Sequence, residues 1–160
     1  MIEMDHPAAA ILRPLVIAGE APVREAVTDE DILATREVML QLRPHIAPDD
    51  YLPRVRRMME TDGYHLAAGV EDGVVRAVAG FRLMEMLYCG RILYVDDLVT
   101  DEAARSAGWG ERMLEWLRWR AAGEGCDALH LDSGTHRNRA HRFYFRQGMT
   151  ITAFHFADQL

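Results

Sequence analysis

The stretch from Arg91 to Asp132 constrains this chain more than any other. Arg91–Thr100 reads as an apolar strand, and a five-residue loop then reaches Arg105-Ser106-Ala107-Gly108-Trp109-Gly110, which opens a helix over Glu111–Ala122. Met113, Trp116, Leu117 and Ala121 fall on one face of that helix, and Gly123 and Gly125 end it. Ala128–Asp132 is a second apolar strand. A strand, a crossover helix and a strand can share a sheet only as a parallel pair.

Upstream the pattern predicts antiparallel pairing. Tyr64–Val70 and Val74–Met84 flank Glu71-Asp72-Gly73, a hairpin signal. Cys89-Gly90 turns the chain into Arg91–Thr100. Before the meander come a short strand, Pro22–Val27, and two helices. Thr28 caps the first, with Asp31 in the capping-box position, and the helix ends before Pro44. Asp49 is expected to cap the second, whose apolar face is Tyr51, Leu52, Val55, Met58 and Met59. After Ala128–Asp132 the expected elements are a helix, Asn138–Gln147, and a last strand, Met149–Phe156. The fold class is therefore α/β of the α+β mixed-sheet kind: an antiparallel N-terminal meander plus a parallel strand pair. Residues 1–20 read as an extension and 21–160 as one domain. A sheet that changes character opens a crevice at its strand ends, where ligands tend to sit.

The glycine loop favours an anion. A helix N-terminus leaves about four backbone N–H groups unpaired and carries partial positive charge. Gly108 and Gly110 remove side chains that would keep a phosphate from those amides, and Arg105 adds a charge. The chain has no lysine: all 18 basic residues are arginine. The phosphate loop of nucleotide triphosphatases, which needs a lysine, is thereby excluded, and the spacing is not that of a dinucleotide loop. Arg-x-x-Gly-x-Gly, after Val95-Asp96-Asp97-Leu98-Val99-Thr100 and before an amphipathic helix, resembles the pyrophosphate loop of the GNAT (GCN5-related N-acetyltransferase) superfamily. A second segment, Ala140-His141-Arg142-Phe143-Tyr144-Phe145-Arg146-Gln147-Gly148-Met149, resembles that family's A-x-x-F-Y-x-x-x-G-F run, with Met149 in place of phenylalanine.

The resemblance implies direct acetyl transfer from acetyl-CoA to a primary amine. Backbone groups of Leu98, Val99 and Thr100 would pair with the pantetheine arm, and Arg105, Ser106, Ala107, Gly108, Trp109 and Gly110 would hold the pyrophosphate. The family often has an asparagine three residues before the alanine of the second segment; here Arg137 stands there, and Asn138 comes one residue late. Tyr144 matches the family's tyrosine and is the candidate acid for the departing thiolate, a half-buried packing role being the alternative. Asp96 and Asp97 are the candidate bases; Asp96 aligns with a position often held by a glutamate, and an ion pair or turn cap is the competing role. Strict alternation would send the two carboxylates to opposite faces of the sheet, so only one should reach the cleft.

Composition narrows the partners. A formal net charge of −7 argues against nucleic acid. It suits a small cationic acceptor such as a polyamine or aminosugar, a peptide amine being the alternative, and simple solubility also accounts for it. His45, Asp49, Asp50 and Tyr51 lie where the family selects its acceptor. Two cysteines, Cys89 and Cys126, make no disulfide framework and suggest a reducing, cytoplasmic setting. No signal peptide or membrane span is expected. His130, His136 and His141 lack metal-site spacing, although His136 or His141 could serve as an alternative base. Family habit suggests a homodimer. Two other functions fit the same motifs: a non-catalytic acyl-CoA sensor and a partner subunit contacting through residues 1–20.

Overall fold

A computed structural model describes residues 22–160, so the extension read over residues 1–20 lies outside the described residues. The elements run β1 (Val23–Glu25), α1 (Asp29–Leu42), α2 (Pro48–Thr61), β2 (Tyr64–Glu71), β3 (Val74–Met86), β4 (Gly90–Thr100), a 3-10 turn (Glu102–Ala104), α3 (Trp109–Gly123), β5 (Ala128–Leu131) and α4 (Asn138–Arg146). The strands form one sheet in sequence order, with β1 to β4 antiparallel and β4 parallel to β5. The mixed α/β architecture expected from the sequence is the one observed.

Local chemistry explains the boundaries. The Thr28 hydroxyl accepts from the Asp31 N–H at 3.1 Å, and the Asp31 carboxylate accepts from the Thr28 hydroxyl at 2.8 Å, so the first helix starts where its capping box predicts. The second helix starts two residues earlier than Asp49 capping would allow. Pro48 is its first residue, Ala47 its cap without a side-chain bond, and Asp49 and Asp50 sit in the first turn. Proline at that position has no N–H to satisfy and a φ already suited to a helix, so no cap is needed. The β2–β3 hairpin closes through Asp72 (φ 51°) and Gly73 (φ 77°), two left-handed residues that twist with the strands.

Helices cover both faces of the sheet. On one, α3 buries Trp109, Met113 and Leu117 against Phe81, Leu93 and Val95. On the other, α1 and α2 bury Ile32, Met39, Tyr51 and Val55 against Tyr64, Leu66 and Val78. The expected last strand, Met149–Phe156, does not form. Ile151, Phe154 and Phe156 are exposed, and among the described residues no strand pairs with this segment. Alternating apolar residues make a strand only where a neighbouring edge takes up their backbone groups. Here the tie is a side-chain contact, His155 Nδ1 to Asp132 Oδ2 at 3.0 Å.

One irregularity in the sheet positions the site. Gly80 faces Asp97 and Phe81 faces Val95, so Asp96 is an extra residue in β4, a β-bulge. Before it, Leu93 and Val95 point toward α3; after it, Leu98 does. Asp97 points the other way, where Tyr64 and Arg43 meet it.

Candidate functional site

The bulge corrects the expectation from strict alternation. Asp96 and Asp97 both line one cavity of about 290 Å³ between the sheet and helices α1 and α2. An extra residue shifts the pleat by half a period, so two consecutive side chains share a face.

The two carboxylates have different surroundings. Asp97 is buried, and both of its oxygens are taken: Oδ1 accepts from Arg43 Nε at 2.7 Å and Oδ2 from the Tyr64 hydroxyl at 2.9 Å. Burial, and then the Asp97 charge, push the Tyr64 phenol well above its usual pKa, so it stays a donor. Gly80 makes that bond possible, because a Cβ there would stand 1.9 Å from the Tyr64 hydroxyl oxygen. Asp96 uses one oxygen, Oδ2, to accept from Arg82 Nε at 2.9 Å. Burial raises the Asp96 pKa, and the Arg82 hydrogen bond and charge work against the rise. A partly dry carboxylate with one open oxygen is suited to taking a proton.

At the far end of β4 lies a second feature. β5 pairs with β4 only over Ile92–Val95, so beyond Val95 the strand has β3 on one side and, among the described residues, no strand on the other. The chain then enters α3 through two left-handed residues, Ser106 (φ 68°) and Gly108 (φ 82°), the latter being the helix N-cap. A left-handed serine costs on the order of 1 kcal/mol, strain of the kind held at binding loops. The amides of Ser106, Gly108, Trp109, Gly110 and Glu111 donate to no acceptor among the described residues, while Ala107 donates to the Ala104 carbonyl at 3.3 Å. Convergent amides at a helix N-terminus, with glycine at two positions, suit a phosphate or pyrophosphate.

The remaining loop residues have mixed roles. Arg105 is half-exposed and pairs with Glu102 at 2.9 Å. Trp109 turns its indole into the core, against Gly69 and under Arg112, leaving only its amide for a ligand. Gly110 lies close under α4, since a Cβ there would stand 3.3 Å from the Phe143 ring and 3.6 Å from Thr100 Oγ1. The two sequence motifs are thus in contact. Phe143 of α4 packs over the glycine of the loop, and Tyr144 follows it, ring centroids 5.4 Å apart. Burial raises the Tyr144 pKa, with Arg137 opposing, and its hydroxyl has no hydrogen-bond partner among the described residues. Asn138 begins α4 and is exposed.

His45 and Tyr51 line the cavity as expected, whereas Asp49 and Asp50 do not. The side chains that sequence reasoning missed are Arg43, Arg54, Tyr64 and Arg82. They lie on four different elements, and only the sheet register and the packing of α1 and α2 bring them together. Gly80, a glycine inside a long apolar strand, was the one available signal.

Comparison with known proteins agrees with this geometry. The family model described as the acetyltransferase (GNAT) family matches residues 32–149. An uncharacterized N-acetyltransferase, YhdJ, of Bacillus subtilis is 30% identical over 135 residues, covering 84% of this chain and 95% of that protein. A rice (Oryza sativa subsp. japonica) glucosamine 6-phosphate N-acetyltransferase is 34% identical over 88 residues, 52% of this chain and 53% of that protein. In fold, an aminoglycoside N-acetyltransferase solved with CoA superposes with a TM-score of 0.76 at 14% identity, covering 86% of this chain and 93% of that one.

Proposed function

The chain belongs to the GNAT acetyltransferase family, and from that premise we propose that it moves an acetyl group from acetyl-CoA to the primary amine of a small molecule by direct attack. The observation that carries this reading is that β4 runs from a part-buried carboxylate in the cavity to an open amide cradle at the start of α3. A relative named for acetylating glucosamine 6-phosphate supports an amine acceptor.

Acetyl-CoA supplies an activated acyl carbon and a thiolate leaving group. The amides of Ser106, Gly108, Trp109 and Gly110 would hold its pyrophosphate, and the edge at Leu98, Val99 and Thr100 would pair with its pantetheine arm. An amide in that stretch polarises the thioester carbonyl. Asp96 takes a proton from the acceptor ammonium, freeing the lone pair that forms the C–N bond as the C–S bond breaks. Tyr144, kept protonated by burial, gives a proton to the sulfur, and the second proton shed by the acylated nitrogen restores the phenol. Asp97, fully engaged by Arg43 and Tyr64, holds the cavity wall. The free thiols Cys89 and Cys126 suit a reducing, cytoplasmic setting. Among the described residues no helix is long and apolar enough to cross a membrane.

Thermal denaturation with acetyl-CoA, CoA and ATP tests the cradle. Ligand at a hundred times Kd adds about 2.7 kcal/mol, raising Tm by about 5–10 °C in a domain this size. Both CoA species should give that shift and ATP should not. No shift at millimolar CoA overturns the reading. A shift without thiol release for any amine would leave a non-catalytic CoA binder.

Tyr144→Phe isolates the acid. The variant should lose about 10²-fold in kcat. Its melting temperature should stay within about 2 °C, because the lost hydroxyl has no partner in the fold. Unchanged turnover would remove Tyr144 from the reaction.

A further inference from the structure

The cavity that holds Asp96 has a polar inventory at odds with a cationic acceptor. Three guanidiniums line it, Arg43, Arg54 and Arg82, with His45 at the same wall, against two carboxylates. Both carboxylates are already matched from within: Asp97 to Arg43 and Asp96 to Arg82. Arg54 and His45 line the cavity with no carboxylate in ion-pair range among the described residues. Donors are in further surplus. Arg43 spends Nε on Asp97 and Nη2 on the Asp96 carbonyl at 3.1 Å, leaving Nη1 open. Arg82 spends Nε on Asp96 and Nη1 on the Asp62 carbonyl at 3.4 Å, leaving Nη2 open. The Asp96 and Asp97 side chains together leave one acceptor unspent, Asp96 Oδ1.

This positive lining sits in a protein whose net charge is −7, so it is a local reversal. A concave site focuses such a field and concentrates ligands of the opposite sign. Guanidinium forks match carboxylate and phosphate oxygens in pairs, and Arg54 has its whole fork available. At about 290 Å³ the cavity lies just below the range for ligand pockets, roughly 300–1,000 Å³, which limits it to a small ligand.

We infer that the acceptor is a small amine carrying its own anionic group, a carboxylate or a phosphate, whose ammonium meets Asp96 and whose anion meets Arg54 and the open Arg43 and Arg82 nitrogens. This rests on the reading of the cavity as the acceptor site. It replaces the polyamine class expected from composition.

Matched pairs of amines, titrated calorimetrically onto the full-length, CoA-saturated protein, test it. Ethanolamine against phosphoethanolamine is the phosphate arm, and propylamine against β-alanine is the carboxylate arm. In at least one arm the anionic member should bind at least about tenfold tighter, the effect of one or two charge-assisted hydrogen bonds. Arg54→Gln should cut that ratio to about twofold, and Arg54→Lys should retain most of it. Arg54 is exposed, so neither change threatens the fold. The arm that shows the preference identifies the anion. No preference in either arm overturns the inference, as does a preference that Arg54→Gln leaves intact. Thiol release followed in parallel separates the two readings. Anionic amines that bind without being acetylated defeat the proposed reaction alone, whereas acetylation of neutral and anionic amines at equal kcat/KM defeats this inference alone.

Discussion

Asp96→Asn is expected to lower kcat by about 10²–10⁴-fold, the contribution of one positioned general base. The amide keeps the shape of the carboxylate and can still accept from Arg82, so the fold should persist, with a cost of about 1–2 kcal/mol for the part-buried, charge-assisted bond. The pH profile carries the sharper signature. A base works only when ionised, and burial raises the Asp96 pKa above the ordinary carboxylate value. The kcat/KM of the native enzyme should therefore fall as pH drops through that raised pKa, before ordinary carboxylates titrate. In the asparagine variant this acidic limb should vanish from the residual activity. The stability sign runs opposite. A carboxyl group whose folded pKa is raised holds its proton more tightly in the folded state. Its contribution to stability is therefore present at low pH and fades as pH rises through the folded pKa. A variant within about twofold of native kcat would remove Asp96 from the chemistry and turn attention to His136 or His141.

Gly80→Ala should be the most damaging single methyl group in the sheet. A Cβ at this position would stand 1.9 Å from the Tyr64 hydroxyl oxygen and 2.4 Å from the ring carbon that bears it. No rotamer of a methyl group relieves that, so the buried ring must swing out. Overpacking of a core costs about 1–3 kcal/mol. Losing the buried phenol–carboxylate bond to Asp97 adds about 1.5–3 kcal/mol. We expect a loss of about 3–5 kcal/mol by chemical denaturation, and a melting temperature lower by about 6–20 °C. Gly108→Ala, by contrast, meets nothing within 4 Å and strains only its left-handed backbone. A Gly80→Ala variant melting within about 2 °C of the native protein would mean that Tyr64 is not held as described.

Much of the fold was legible in the sequence because it is written in local chemistry. The Thr28–Asp31 box, the Asp72-Gly73 turn and the glycines after α3 each act within a few residues, and each stands where its residue types predict. Asp49 misled because two starts were available and proline at the first position needed no cap. The last strand misled for a different reason: alternation records what a segment could pair with, and pairing needs an edge in reach. The candidate site was drawn along one line of chain, from Asp96 to Gly110 and again at Phe143-Tyr144, and the two segments meet at Gly110. The arginines of the cavity were not legible. Arg43 follows a helix, Arg54 sits on an exposed helical face and Arg82 lies in mid-strand, and nothing local to any of them announces the others.

The supernumerary Asp96 has a consequence for how this chain can change length. Loops absorb gained or lost residues at small cost. The run from Val95 to Thr100 can lose a residue only at the bulge, because elsewhere a residue added or removed exchanges inside for outside. Deleting Asp96 would restore regular alternation with Leu98 still toward α3 and Asp97 still toward Arg43 and Tyr64. The second carboxylate of the cavity is therefore the product of one extra residue in the strand. Related chains could lose that residue and keep the sheet, and would then present one carboxylate to the cavity instead of two.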